Sequence, residues 1–164
     1  MTEWGADARY TRLVHEKGSE LLRLAMLMIG NRHDAEDVVQ DVLISVAAAW
    51  PITRPMPYLK RAVANRCIDV IRKRREIPVE SVPEQPSDEG GFLLYDDTRR
   101  FYELLRDLPP RQRETLVLRF QFDLSDSMIA KMLGISITTV RSQAQHGLRK
   151  LRMSEAVLTV RNEE

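Results

Sequence analysis

Between Leu124 and Arg152 the chain reads LSDSMIAKMLGISITTVRSQAQHGLRKLR, and the punctuation of that stretch leaves the backbone few choices. Ser125 is placed to cap a helix, and Asp126 adds negative charge where the helix dipole is positive. Met128, Ile129, Met132 and Leu133 recur at helical spacing. Gly134 suits the left-handed turn that ends a helix, and Ser136 is placed to cap a second one beginning at Ile137. A short helix, a tight glycine turn and a second capped helix form the layout of a helix-turn-helix.

Turned at 3.6 residues per turn, the second helix gathers Ile137, Val140, Ala144, Gly147, Leu148 and Leu151 on one side. Thr138, Ser142, Gln145 and Arg149 lie roughly opposite, with Thr139 and His146 beside them. The polar side carries hydrogen-bonding groups and no carboxylate. Base edges and phosphates in a major groove are met by such donors and short polar groups. A solvated face on an ordinary packed helix has the same pattern, so the rest of the chain has to decide.

The net charge of +1 argues by itself against a nucleic-acid partner, but its distribution reverses that impression. From Pro51 to Arg75 eight Lys or Arg face one acid, and from Arg99 to Met153 eleven face five. Between them, Glu76 to Thr98 holds seven acids and no base, with Pro78, Pro83, Pro86, Gly90 and Gly91. Two basic modules joined by an acidic, flexible connector are therefore expected. Few Gly and Pro and abundant Leu, Ala, Arg, Glu and Met favour an all-α chain. The lone Cys67, the lack of a membrane-spanning apolar run and the lack of a signal-peptide layout lead to the expectation of a cytoplasmic protein without membrane insertion.

The first module begins with a long amphipathic helix from about Trp4 to Ile29, carrying Tyr10, Leu13, Val14, Leu21, Leu24, Ala25 and Met28 on one stripe and ended by Gly30. After Asn31, Arg32 and His33, DAEDVVQDVLISVAAAW makes a second helix with acids in its first turn. Ala35, Val38, Val39, Val42, Leu43, Val46 and Ala49 form its apolar side. Asp34, Asp37, Gln40, Asp41 and Ile44 lie on other faces. Such a face is either a solvated surface or a docking surface, with Ile44 rimmed by carboxylates for a basic partner. Trp50 to Pro57 carries three prolines and is expected to be a stiff loop.

Tyr58 to Arg75 returns to helix, with Leu59, Val63, Cys67, Val70 and Ile71 expected inside. Tyr58, Arg61, Asn65, Asp69 and Arg72 share the opposite strip, and Lys73, Arg74 and Arg75 continue the basic run. Guanidinium groups hold phosphates, while tyrosine and asparagine stack on or bond to an unpaired base, so the strip suits single-stranded nucleic acid. A basic helix end that merely complements the dipole is the alternative. In the second module Arg99 to Asp107 forms a short helix with Phe101, Leu104 and Leu105. LPP stops it and starts the next, Arg111 to Phe120. The core is expected around Leu104, Leu116, Ile129, Leu133, Val140 and Leu148.

Taken together, DAEDVVQDVL, ANRCIDVIRKRR, LPPRQRETLVLRF and the helix-turn-helix resemble the two domains of sigma-70 family transcription initiation factors, in the compact layout of their extracytoplasmic-function group. The resemblance covers about Tyr10 to Arg75 and Arg99 to Arg152. It implies a region 2-like domain at 1–76, an acidic flexible linker at 77–98 and a region 4-like domain at 99–164. By that resemblance Asp34, Glu36, Asp37, Gln40, Asp41 and Ile44 dock on core RNA polymerase. Tyr58, Arg61, Asn65, Asp69, Arg72 and Lys73 melt and read the minus-ten promoter element, with the Trp50 to Pro57 loop receiving a flipped base. Thr138, Thr139, Arg141, Ser142, Gln145 and Arg149 read the minus-thirty-five element as duplex.

Relatives of this kind are often held inactive by an anti-sigma protein, which becomes a further expected partner. The sequence departs from the family pattern at Met128, where many relatives have Glu, at Asp123, where glycine is frequent, and at Gln143 and His146, where basic residues are commoner. A dimeric helix-turn-helix regulator of duplex DNA accounts for the second half of the chain but not for the aromatic-basic strip. An enzyme would need Asp34, Glu36, Asp37 and Asp41 as metal ligands, or His15, His33 or His146 as a base, and no cluster of these has a recognisable catalytic spacing. No catalytic residue, metal or cofactor is therefore expected.

Overall fold

A computed structural model of the chain describes residues 8–76, 100 and 103–162, with the side chains of the last helix described as far as Ser154. The acidic stretch 77–98, Trp4, Phe101 and the end of the tail lie outside the described residues. The chain divides into two compact units, within Met1–Leu93 and Leu94–Glu164, and the described residues contain helices and no strand.

The first unit is a three-helix assembly of α1 (Ala8–Ile29), α2 (Arg32–Ala49) and α3 (Pro55–Glu76). The last six residues of α1, Leu24 to Ile29, are apolar on all sides, and Leu21, Leu24, Ala25, Met26, Leu27, Met28 and Ile29 are all buried. A helix with no polar face has to be enclosed. Both partners enclose it: α2 contributes Ala35, Val38, Val39, Val42 and Val46, and α3 contributes Leu59, Val63, Ala64, Cys67 and Ile68. Ile68 takes an inner place, while Val70 and Ile71, both expected inside, are half-buried. Burial pushes the Cys67 thiol up to about 12, so this cysteine is a packing group and not a nucleophile.

Two helix starts differ from the sequence-based expectation. Asn31 is itself the cap of α2, its Oδ1 accepting from the Asp34 amide at 3.1 Å, so the helix begins at Arg32 and the turn from α1 is only Gly30–Asn31. Gly30 adopts φ 77°, which its missing Cβ permits, and its amide closes α1 on the Met26 carbonyl at 2.8 Å. Pro55 and Pro57 do not break α3; they lie in its first turn. Amides there have no intrahelical acceptor, so proline costs nothing at those positions, and the loop shortens to Trp50–Arg54.

In the second unit a helical segment at 103–106 is followed by α4 (Pro110–Phe120), α5 (Asp126–Leu133) and α6 (Ile137–Asn162). Pro110 opens α4 at its first position. Leu116, Ile129, Leu133 and Val140 are buried as expected, together with Leu105, Leu108, Val117, Leu118, Phe122 and Ala144, while Leu104 and Leu148 are half-buried. Asp123 adopts φ 56°, a left-handed conformation that aspartate tolerates better than most residues. Ile137 is 40% exposed, because the first residue of α6 overhangs the core that Val140 and Ala144 enter.

Gly147 sets the distance between α4 and α6. A Cβ at that position would meet Leu116 Cδ1 at 2.8 Å and Gln112 Cβ at 3.4 Å. A branched side chain there has to push the two helices apart. Gly147→Val is expected to destabilise the second unit by about 1–3 kcal/mol, the usual cost of overpacking. Amide exchange in α4 and α6 checks this, with faster exchange expected in both helices and unchanged exchange in α1–α3.

Candidate nucleic-acid interface

On α3, Tyr58, Arg61, Asn65, Asp69, Arg72 and Lys73 are all exposed, and the first five follow one face at intervals of three and four residues. An open groove of about 510 Å³ runs between this face and α2. Tyr58, Asn65, Arg66 and Asp69 line it from α3, and Asp41, Ile44 and Ser45 from α2. Two sets of residues that the sequence separated thus form the walls of one feature, whereas Arg61 lies outside it. Arg66 was not singled out in the sequence. It links the walls, its Nη2 donating to Asp41 Oδ2 at 3.1 Å. Arg72 Nη1 lies 3.9 Å from Asp69 Oδ1, so the carboxylate partly neutralises the basic end of the strip.

The acidic face of α2 divides in two. Glu36, Asp37, Gln40, Asp41 and Ile44 are exposed, Ile44 at 61%. Glu36 accepts from Arg32 Nε at 2.8 Å, and Asp37 lies 3.7 Å from His33 Nε2, pairs that stay in solvent on one helix. Asp34 is different. Its Oδ2 accepts from Arg74 Nη2, and Arg74 Nη1 donates to the Ile29 carbonyl at 3.0 Å. One guanidinium therefore ties the end of α3 to the start of α2 and to the unsatisfied carbonyl end of α1. Arg74 turns away from the run Arg72-Lys73-Arg74-Arg75, and nothing local in the sequence distinguishes it from its neighbours.

The helix-turn-helix forms with the expected ends. Ser125 Oγ accepts from the Met128 amide at 3.3 Å, Gly134 adopts φ 67° and ψ 35°, and Ser136 Oγ accepts from the Thr139 amide at 3.0 Å. Thr138, Arg141, Ser142, Gln145 and Arg149 are exposed along α6. Thr139 is half-buried, and its hydroxyl lies 2.8 Å from Ser136 Oγ, so part of its hydrogen-bonding capacity is used at the helix start.

Asp126 joins three helices. Its Oδ1 accepts from Arg119 Nε at 2.8 Å and Nη2 at 2.6 Å, and its Oδ2 accepts from Arg119 Nη2 at 2.6 Å and Arg141 Nε at 3.4 Å. The hydrogen bonds from Arg119 hold the Asp126 carboxyl below its ordinary value of 3.8, with smaller contributions from the charge of Arg119 and from Arg141, against the opposing effect of burial. Among the described residues no group of three or more His, Cys, Asp or Glu side chains is placed to hold a metal ion.

Comparison with known proteins matches both units to family models. Residues 13–77 match sigma-70 region 2, and residues 98–151 match sigma-70 region 4. The chain is similar to the ECF RNA polymerase sigma factor SigE of Mycolicibacterium smegmatis, 32% identical over 154 residues that cover 87% of this chain and 60% of that protein. It is also similar to the ECF RNA polymerase sigma factor ShbA of Streptomyces griseus, 32% identical over 145 residues, 79% of this chain and 76% of that protein. Among solved structures it resembles the sigma factor RpoE in complex with the anti-sigma factor NepR from Bartonella quintana. That match has a TM-score of 0.55 and 25% identity, and it covers 87% of this chain and 96% of that one.

The two kinds of acidic contact on α2 separate by mutation. Arg74→Ala is expected to destabilise the first unit by about 1–2 kcal/mol, the lower part of the range for charged hydrogen bonds because both partners keep some solvent contact. Asp37→Ala, which removes only a solvent-exposed pair, should leave the stability near wild type. Denaturation followed by tryptophan fluorescence reads this directly, since Trp50 packs against Tyr10 in the first unit, their ring centroids 5.3 Å apart.

Proposed function

The chain belongs to the sigma-70 family of RNA polymerase initiation factors, in its extracytoplasmic-function group, and on that premise we propose how its two units divide the work of initiation. The factor binds core RNA polymerase and directs it to specific promoters. Residues 1–76 dock on the polymerase and open the minus-ten element, 77–98 form an acidic linker, and 99–164 read the minus-thirty-five element as duplex. The chain supplies specificity and melting in the cytoplasm, and the polymerase supplies the chemistry.

The groove between α2 and α3 carries this reading. Its lining combines an aromatic ring, an amide, a guanidinium and carboxylates. A base extruded from the duplex loses stacking, and a ring such as that of Tyr58, half exposed at the groove, offsets the loss by about 1–3 kcal/mol. Asn65 offers a donor and an acceptor to the Watson–Crick edge. Arg61, Arg72 and Lys73, outside the groove on the same helix, are assigned to the phosphates on either side of the base.

Docking on polymerase is assigned to Glu36, Asp37, Gln40, Asp41 and Ile44, of which Asp41 and Ile44 form the edge shared with the groove, and their exposure suits an apolar contact with a charged rim. Asp34 supports that surface from behind through Arg74. Thr138, Arg141, Ser142, Gln145 and Arg149 are assigned to the major groove of the upstream element, with Thr139 at the edge of that set. The Bartonella relative is held by an anti-sigma factor, and the same kind of regulation is proposed for this chain.

Promoter opening tests the assignment. With holoenzyme, Tyr58→Ala and Asn65→Ala are expected to lower open-complex formation about tenfold, within the worth of one stacked base, while closed-complex formation stays near wild type. Equal losses at both stages would remove the melting role from the groove. Ile44→Asp is expected to weaken binding to core polymerase in the absence of DNA.

A further inference from the structure

Arg141 lies on the exposed face of α6, its side chain 70% accessible, and its Nε is 3.4 Å from a carboxylate oxygen of Asp126. Its Nε donates to Asp126 at the first position of α5, and the same carboxylate receives the Arg119 side chain through three contacts of 2.6 to 2.8 Å. Asp126 and Arg119 are much less accessible, 21% and 27%. The part-buried end of the network holds the carboxylate, and the carboxylate orients one edge of the exposed arginine. An ionised carboxylate offers about four lone-pair sites, and the four contacts here use that capacity.

A guanidinium held at Nε keeps its Nη1 and Nη2 amines on the opposite edge. That edge has the spacing of a bidentate pair with O6 and N7 of guanine in the major groove. Orienting it during folding removes an entropy cost that a mobile arginine pays on binding. The carboxylate also repels phosphate and base acceptors that approach out of register.

We propose that Asp126 is a positioning residue for promoter discrimination, holding the Nε edge of Arg141 so that its outer edge reads a guanine in the upstream element. This rests on the duplex-reading role proposed for α6 and names the residue that makes it selective. A purely structural role, bolting α4 to α5 through Arg119, would affect stability but not the preference for one base over another.

The test uses holoenzyme transcribing a promoter library randomised across the upstream element, with wild type, Arg141→Ala, Asp126→Asn, the double variant and Ser125→Ala. Arg141→Ala and Asp126→Asn should each relax the preference for guanine at the same base pair by at least about fivefold, and the double variant should add nothing. Ser125→Ala weakens the same helix start without touching the network and should keep the preference. If Asp126→Asn keeps the preference that Arg141→Ala loses, the inference is overturned while duplex reading stands. If Arg141→Ala itself changes no preference, both fall.

A measurement on the unaltered full chain covers failure of a variant to fold. The Arg141 Nε–H should exchange with water several-fold more slowly than that of Arg149, which has no carboxylate partner among the described residues. Equal exchange of the two would also overturn the proposal.

Discussion

In both units an arginine near the end of one helix is bonded to an aspartate at the start of another, Arg74 to Asp34 and Arg119 to Asp126. The placement is favourable twice over, since cations are stabilised at helix carboxyl ends and carboxylates at amino ends, and here one pair serves both. Units of this size have small cores, and apolar packing alone leaves freedom in how helix ends meet. In the first unit Arg74 also satisfies the Ile29 carbonyl and so anchors three helix ends around one guanidinium. Arg74 thereby sets where the start of α2 meets the end of α3, and Asp126 stands between α4, α5 and α6 in the same way.

What the sequence revealed was local in origin. Ser125, Gly134 and Ser136 act on backbone within three residues of themselves, and each performs the expected task. The apolar stripes of α2 and α5 follow from periodicity, except that Leu43 is half-buried and Ala49, in the last turn of α2, is exposed. The misread features arose where local rules compete. Three prolines suggested an unbroken loop to Pro57, but the first turn of a helix has no use for the missing amides, and α3 starts at Pro55. Asn31 looked like part of a connection and is a cap. Ile137 belongs to the apolar side of its helical wheel but precedes the point where α6 meets its neighbours.

The candidate site was legible as residues but not as geometry. Tyr58, Asn65 and Asp69 could be grouped because they share one helix, and Asp41 and Ile44 because they share another; that the two groups face a common groove is a property of packing. Arg66, Arg74 and Arg119 have nothing in their spacing to separate them from solvated basic residues. Their roles come from partners between 7 and 45 positions away. At Met128 the chain departs from a common family pattern by lacking the Glu that would complete a reciprocal cap, and the nearby carboxylate is instead that of Asp126, engaged with two arginines. With no carboxylate at position 128, the acidic group of this helix start is directed to arginines of the two neighbouring helices.

The role proposed for this chain is to give core polymerase a two-part promoter specificity. The most direct measurement is transcription in vitro by core RNA polymerase on a pool of genomic fragments, with and without the purified chain, followed by mapping of transcript 5′ ends. New start sites that depend on the chain and share two upstream sequence blocks at fixed separation are the predicted result. Start sites unchanged by the chain, together with duplex binding that is equally tight without polymerase, would contradict it and leave a helix-turn-helix regulator in its place.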